Sequence, residues 1–330
     1  MTELKKSGLD KPRFTFIDLF AGVGGFRLAL EKLGGKCVFS SEIDPFATRT
    51  YLENFGSDGT HFGDITLEET KAQIPQSFDM LCGGFPCQAF SIAGYQKGFE
   101  DTRGTLFFDI AEIVSRHKPK YIFLENVKNL LSHDQGKTIK VIEATLEGLG
   151  YTVGKKVLNS KTHANLPQNR ERTFIVAFRS DLGISIESAS AKSFNFPDAV
   201  PLEKKLVDCL EKVVDQKYYY TKTKYYPILA EAMKSQDTVY QWRRKYVREN
   251  KNKVCPTLTA NMGGGGHNVP LILVDDGIRK LTPRECFNLQ GFPQSFKFPS
   301  GMPDSKLYKQ AGNSVSTTLI ERIAEKILEA

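Results

Sequence analysis

Long apolar stretches are missing from this 330-residue chain: no run approaches the roughly 18 residues that a membrane-spanning helix requires. The opening segment, Met1 to Pro12, is polar and lacks the apolar core of a secretory signal. A soluble, cytoplasmic protein without a membrane partner is therefore expected. Cysteine is sparse and scattered. Cys37, Cys82, Cys87, Cys209, Cys255 and Cys286 form no C-x-x-C pair and no Cys/His cluster of ligand spacing. That pattern excludes a disulfide scaffold, argues for a reducing compartment and leads us to expect no metal site. Neither sign of charge dominates. The net +7 permits a polyanionic partner without demanding one. Internal repeats and low-complexity tracts are also missing. With 40% hydrophobic and 25% charged residues, the composition is that of a globular protein. The length suffices for one large core or two unequal domains.

What is present is an alternation. Phe14 to Phe20 reads as a buried strand, and Phe26, Ala29, Leu30 and Leu33 fall at helical spacing before Gly34-Gly35 ends the helix. Cys37–Ser40 is a second strand, a helical stretch runs through Tyr51, and a short strand ends near Asp64. Phe78–Cys82, Tyr121–Leu124, Tyr151–Leu158 and Thr173–Phe178 are further strands. A helix carrying Phe107, Ile110, Ile113 and Val114 separates the first two of these. The pattern predicts an α/β fold: a doubly wound, mostly parallel sheet with helices on both faces. After about Ser180 the periodicity fades. Residues 181–280 hold Tyr218-Tyr219-Tyr220, the run Gly263 to Gly266, and a basic stretch with interleaved aromatics that includes Trp242, Arg243, Arg244 and Tyr246. This region is predicted to be a smaller, loop-rich domain. Short Pro/Gly-punctuated segments follow, and then an amphipathic helix over Ser316–Leu328.

Three features suggest an adenosine-bearing ligand. Phe20-Ala21-Gly22-Val23-Gly24-Gly25 joins the first strand to its helix, and glycines there allow close backbone approach. It is not G-x-G-x-x-G, which weakens a pyrophosphate reading and disfavours a nicotinamide oxidoreductase. Glu42 follows the second strand, where an acid suits ribose hydroxyls, and Asp64 follows the third. Both acids would also serve as ordinary surface residues at strand ends. Cys87 follows the fourth strand in Gly83-Gly84-Phe85-Pro86-Cys87-Gln88, and Glu125-Asn126 follows the fifth. All would face one crevice at the carboxyl ends of the strands. A free cysteine is often only a small buried hydrophobe. A reactive thiol needs nearby positive charge, which Arg170 and Arg172 could supply if they are not merely a surface ion-pair cluster.

These segments, in order with Arg284-Glu285 and Gln310-Ala311-Gly312-Asn313-Ser314-Val315, resemble the motif set of the DNA cytosine-5 methyltransferases of bacterial restriction–modification systems. The resemblance covers most of the chain outside roughly 181–255. It implies a Rossmann-like S-adenosylmethionine-dependent methyltransferase with a DNA-recognition domain. Cys87 would add to cytosine C6, Glu125 would bind N3 and the exocyclic amine, Arg172 the O2 side, and Arg170 would support the cysteine or a phosphate. The target base would be flipped from the duplex. S-adenosyl-L-methionine would contact Phe20, Val23, Gly25, Glu42, Ile43, Asp64, Ile65, Gly84, Pro86, Leu106, Asn313, Ser314 and Val315. Ile43 stands where better-known members often have a large aromatic residue.

Ser91, Arg103, Arg243, Arg244, Thr257, Gly264 and Gly265 would contact DNA, with Thr257 at a phosphate. A solvated basic face is the plainer reading of the basic stretch. The layout implies a catalytic domain of residues 1–180 and 311–330, a target-recognition domain of 181–280 and a hinge of 281–310. Expected partners are double-stranded DNA and a cognate restriction endonuclease without a stable complex, the enzyme itself being a monomer. A tRNA substrate is the alternative, because those enzymes share the catalytic motifs. A catalytically silent DNA-binding module is disfavoured by the joint presence of Cys87, Glu125 and Arg172.

Overall fold

The computed structural model of the chain describes residues 11–85, 106–243, 246–263 and 269–330. The candidate residues Pro86, Cys87, Ser91, Arg103, Arg244, Gly264 and Gly265 lie outside them. The first half alternates β1 (Phe14–Leu19), α1 (Gly25–Lys32), β2 (Gly35–Ser41), α2 (Pro45–Phe55), β3 (His61–Phe62), α3 (Glu68–Lys71), β4 (Met80–Gly84), α4 (Leu106–His117), β5 (Tyr121–Val127), α5 (Lys137–Gly148) and β6 (Tyr151–Asn159). Then come α6 (Ser160–His163), β7 (Gln168–Asn169) and β8 (Glu171–Arg179). Seven strands form one sheet in the order β3-β2-β1-β4-β5-β8-β6. β1 pairs in parallel with β2 and β4, and β4 with β5, whereas β8 runs antiparallel to both β5 and β6. The chain builds outward from β1 in one direction and resumes at β4 in the other. The switch point therefore lies between β1 and β4, where doubly wound sheets open a crevice.

Side-chain alternation along the strands fills two cores. On one face Phe14, Phe16, Met80, Cys82 and Phe123 pack against Phe26 and Leu30 of α1. On the other, Ile17, Leu19, Leu81, Ile122 and Leu124 pack against α4 and α5 through Ile110, Ile113, Ile142 and Leu146. By the same alternation, Asp18, Gly84 and Glu125 belong to the α1 face. Among the boundaries that differ from expectation, β4 continues to Gly84 and β5 through Glu125 and Asn126 to Val127. Glu125 pairs with Gly84 on one side and Phe174 on the other, so the ladder runs on past the apolar residues. Glu125 and Asn126 are thus strand residues and do not follow the strand.

Beyond β8 come the short pair β9 (Ser185–Ile186) and β10 (Ser193–Phe194), α7 (Tyr226–Ala232), β11 (Tyr240–Arg243), β12 (Tyr246–Glu249), β13 (Cys255–Pro256), β14 (Leu271–Val274) and β15 (Gly277–Lys280). The order β12-β11-β14-β15 makes a four-stranded sheet, antiparallel at every pairing. Its own small core is Leu229, Met233, Tyr240, Leu271 and Ile278. The chain ends with α8 (Pro283–Leu289), α9 (Asp304–Asn313) and α10 (Thr317–Glu329). α8 starts with a capping box in which Thr282 Oγ1 accepts from Glu285 N and a Glu285 carboxylate oxygen accepts from Thr282 N. α10 buries Leu319, Ile320, Ile323 and Ile327 in the same core as α1, each contributing roughly 1.5–3 kcal/mol. That docking returns the preceding turn, Asn313 to Val315, to the start of α1.

Candidate active site

The turn after β1 is tight. Phe20 adopts φ +56°, an uncommon conformation for a bulky residue, and Gly22 and Gly24 also have positive φ. A Cβ on Gly24 would lie 2.2 Å from the Phe55 ring, and one on Gly25 would lie 2.7 Å from Val315 Cγ2. Only glycine lets the turn pass between α2 and the C-terminal segment. Glu42 braces it from just past β2: its carboxylate accepts from Gly22 N and from Asp44 N, each at 2.7 Å. Asp44 in turn caps α2, accepting from Phe46 N and Ala47 N, and pairs with Lys309 at 2.7 Å.

A cavity of about 610 Å³ opens here. Every expected cofactor residue among those described lines it: Phe20, Val23, Gly25, Glu42, Ile43, Asp64, Ile65, Gly84, Leu106, Asn313, Ser314 and Val315. Ile43 is 71% exposed, whereas Ile65 is buried. Asp64 Oδ1 accepts from Thr66 N and Oγ1. The hydroxyls of Ser41 and Ser314, also in the lining, are buried without a hydrogen-bond partner among the described residues. Adjacent acid, apolar and unpaired hydroxyl groups around a glycine turn suit a nucleoside with a charged tail. Asp44, Lys309 and Gln310 also line the cavity and were not anticipated. Asp44 carried a legible signal, as an acid directly before Pro45 at a helix start.

The same cavity reaches the end of β5. Glu125 Oε1 lies 3.1 Å from Arg172 Nε, both side chains being largely buried. Arg172 sits on β8 opposite Val127, so neighbouring antiparallel strands bring the pair together. A Cβ on Gly84 would be 3.4 Å from Glu125 Oε2, which places the end of β4 beside the carboxylate. Asn126 Nδ2 donates to Phe85 O at 2.9 Å, and its Oδ1 accepts from Val127 N at 2.8 Å. Sequence reasoning paired Asn126 with Glu125 but gave it no role. It clamps the last described residue before Pro86-Cys87.

Two expected site residues make contacts that the sequence did not reveal. Arg170 is fully buried and holds backbone: Nη1 donates to Leu258 O at 3.0 Å, and Nη2 to Gly312 O at 3.2 Å and Ser314 O at 2.5 Å. Arg170 also lines the cavity, its Nε is buried without a partner among the described residues, and Cys87, which it was expected to support, lies outside them. Burial, with Arg172 nearby, pushes its guanidinium down to about 9, still cationic at neutral pH. Thr257, expected at a phosphate, is half-buried and donates Oγ1 to Asn169 O at 2.7 Å. Arg243 is exposed at the end of β11 and donates to Gln241 Oε1 at 3.1 Å. Beneath the glycine turn, burial pushes the Asp18 carboxyl up to about 8.

A mostly parallel doubly wound sheet, a glycine turn braced by an acid, and a Glu–Arg pair lining one cavity are what the resemblance to an S-adenosylmethionine-dependent α/β methyltransferase implied. Residues 14–329 match the C-5 cytosine-specific DNA methylase family, and the chain belongs to it. It is 51% identical over 318 residues to the type II methyltransferase M.Bsp6I of Bacillus sp. (strain RFL6), covering 94% of this chain and 98% of that one. It is 44% identical to M.HpaII of Haemophilus parainfluenzae (97% and 90% covered) and 42% identical to M.HhaI of Haemophilus parahaemolyticus (99% and 97% covered). The fold is similar to that of the S. pombe Dnmt2 methyltransferase, with a TM-score of 0.71 at 20% identity, covering 96% of this chain and 98% of that one. The chain is therefore a DNA (cytosine-5)-methyltransferase that uses S-adenosyl-L-methionine, with DNA as its substrate.

Proposed function

We propose that the enzyme is sequence-specific and modifies a cytosine flipped out of duplex DNA, protecting host DNA from a cognate type II restriction endonuclease. The observation that carries this reading is the Glu125–Arg172 pair on the floor of the cavity that the glycine turn opens. The relatives named M.Bsp6I and M.HpaII support the restriction–modification setting.

Phe20, Val23 and Gly25 would hold the donor at the turn, Glu42 its ribose, and Ile43, Asp64 and Ile65 its adenine, with Asn313, Ser314 and Val315 closing the far wall. Gly84, Pro86 and Leu106 would surround the sulfonium end. Bound S-adenosyl-L-methionine supplies an electrophilic methyl group. Cys87 adds to cytosine C6 as the thiolate and makes C5 nucleophilic. Glu125 hydrogen-bonds N3 and the exocyclic amine where charge develops on the ring. Arg172 holds Glu125 in place and faces O2. Once C5 has taken the methyl group, loss of its proton to water expels Cys87 and restores the ring. Ser91, Arg103, Arg243, Arg244, Thr257, Gly264 and Gly265 would face DNA, Thr257 through groups other than the hydroxyl proton already given to Asn169.

Residues 1–180 with 311–330 are assigned to catalysis, 181–280 to target recognition and 281–310 to a hinge. The enzyme would act as a cytoplasmic monomer that forms no stable complex with the endonuclease. Among the described residues no helix is long and apolar enough to cross a membrane. Bisulfite sequencing of DNA from a host expressing the protein tests the whole reading. One cytosine in one short sequence context should be protected, and Cys87→Ala should abolish that protection. Scattered or absent protection, or substantial activity in Cys87→Ala, overturns it.

A further inference from the structure

Arg170 draws together two segments far apart in sequence. Leu258 follows Thr257 in the region assigned to target recognition, whereas Gly312 and Ser314 flank the turn that walls the cofactor cavity. A guanidinium is a rigid planar fork, so one carbonyl cannot shift far without losing its charge-assisted bond unless the others follow. Neighbouring contacts tie the same segments. Thr257 donates to Asn169 O, Gln168 Oε1 accepts from Leu258 N at 3.2 Å, and β13 pairs with β7. At Gly312 the two backbones touch: a Cβ there would lie 2.2 Å from Thr259 C.

We propose that Arg170 is a positioning residue that couples DNA engagement to cofactor affinity by holding the Thr257–Leu258 segment and the Gly312–Ser314 wall as one seam. DNA that fixes residues 257–260 holds the wall over the cofactor, and bound cofactor favours DNA by the same factor, as linkage requires. This inference rests on the assignment of residues 181–280 to DNA recognition.

The test is a thermodynamic cycle on the full chain. The affinity of S-adenosyl-L-homocysteine, an unreactive probe, is measured with and without a saturating duplex carrying the site found by bisulfite sequencing, and duplex binding is followed separately by anisotropy. In the wild type the duplex should tighten probe binding on the order of tenfold. Arg170→Lys keeps the charge but cannot span both segments. It should reduce that factor to about two while changing affinity without DNA by less than about threefold. Where this variant does not fold, Thr257→Val, which removes one half-buried bond of the seam, should lower the wild-type factor by about threefold.

A wild type that binds both ligands without coupling overturns the proposal. Full coupling in Arg170→Lys, or in Thr257→Val where that variant stands in for it, also overturns it. Equal loss of probe affinity with and without DNA reduces Arg170 to a structural prop. A wild type that binds no duplex refutes the DNA-recognition reading itself, and is told apart by the anisotropy measurement.

Discussion

Asn126 offers the sharpest test of how the strand scaffold serves the proposed nucleophile, Cys87. Its amide makes two bonds in opposite senses, donating to Phe85 O and accepting from Val127 N. Asn126→Ala removes both and orphans a buried carbonyl, at about 1–3 kcal/mol for that group alone. Asn126→Asp is more discriminating. It preserves the acceptor for Val127 N and sets a second oxygen against Phe85 O, so only the clamp on the Cys87 segment is lost. A misplacement of about 1 Å at a reacting group costs on the order of 10²-fold in rate. Single-turnover methyl transfer at saturating DNA and donor should therefore slow by roughly that factor in Asn126→Asp. Donor affinity should stay within about threefold, because the glycine turn and Glu42 are untouched. A wild-type rate in Asn126→Asp, with the protein folded, would show that the clamp does not position the loop.

Glu125→Gln keeps the shape but not the charge beside Arg172. It should lower kcat by about 10²–10³-fold with little change in DNA affinity, as single-turnover assays and anisotropy would report. Gly25→Ala drives a Cβ toward Val315 Cγ2 and should weaken donor binding by about 1–3 kcal/mol in calorimetry while duplex binding persists. The Asp18 carboxyl, raised from 3.8 to about 8, binds its proton more tightly folded than unfolded. Its contribution to stability is complete below pH 3.8 and drains away as pH rises through 8. Asp18→Asn should therefore gain Tm over the wild type progressively across that window, and parallel Tm-versus-pH curves for the two proteins would disprove the assignment.

Much of the architecture was legible because apolar runs and helical spacings report burial directly. β1, β2 and β8 were visible as runs such as Phe14–Leu19, and α10 as a stripe through Leu319, Ile323 and Ile327. Polar strand ends were harder. Glu125 and Asn126 look like loop residues in sequence, yet the ladder carries them to Val127, because backbone pairing does not depend on side-chain polarity. α5 went unnoticed although Ile139, Ile142 and Leu146 mark its buried face at helical spacing. The strands from Tyr240 to Lys280 are four residues or fewer, too short for periodicity to register. The role of Arg170 was not legible at all. Its acceptors are main-chain carbonyls at least 88 residues away, and a carbonyl has no sequence signature. Glu125 and Arg172 were expected in one site but not as a pair, which the structure brings to 3.1 Å.

The contact between Gly25 and Val315 also sets an order of assembly. Early in synthesis a nascent chain already carries the glycine turn and its brace from Glu42, yet the opposite wall does not exist until Val315 and the helix that docks it have left the ribosome. The closed cavity proposed to hold the donor is therefore a late event in the life of each molecule. An incomplete chain lacks the wall at Val315 and so has no enclosed cavity at the glycine turn.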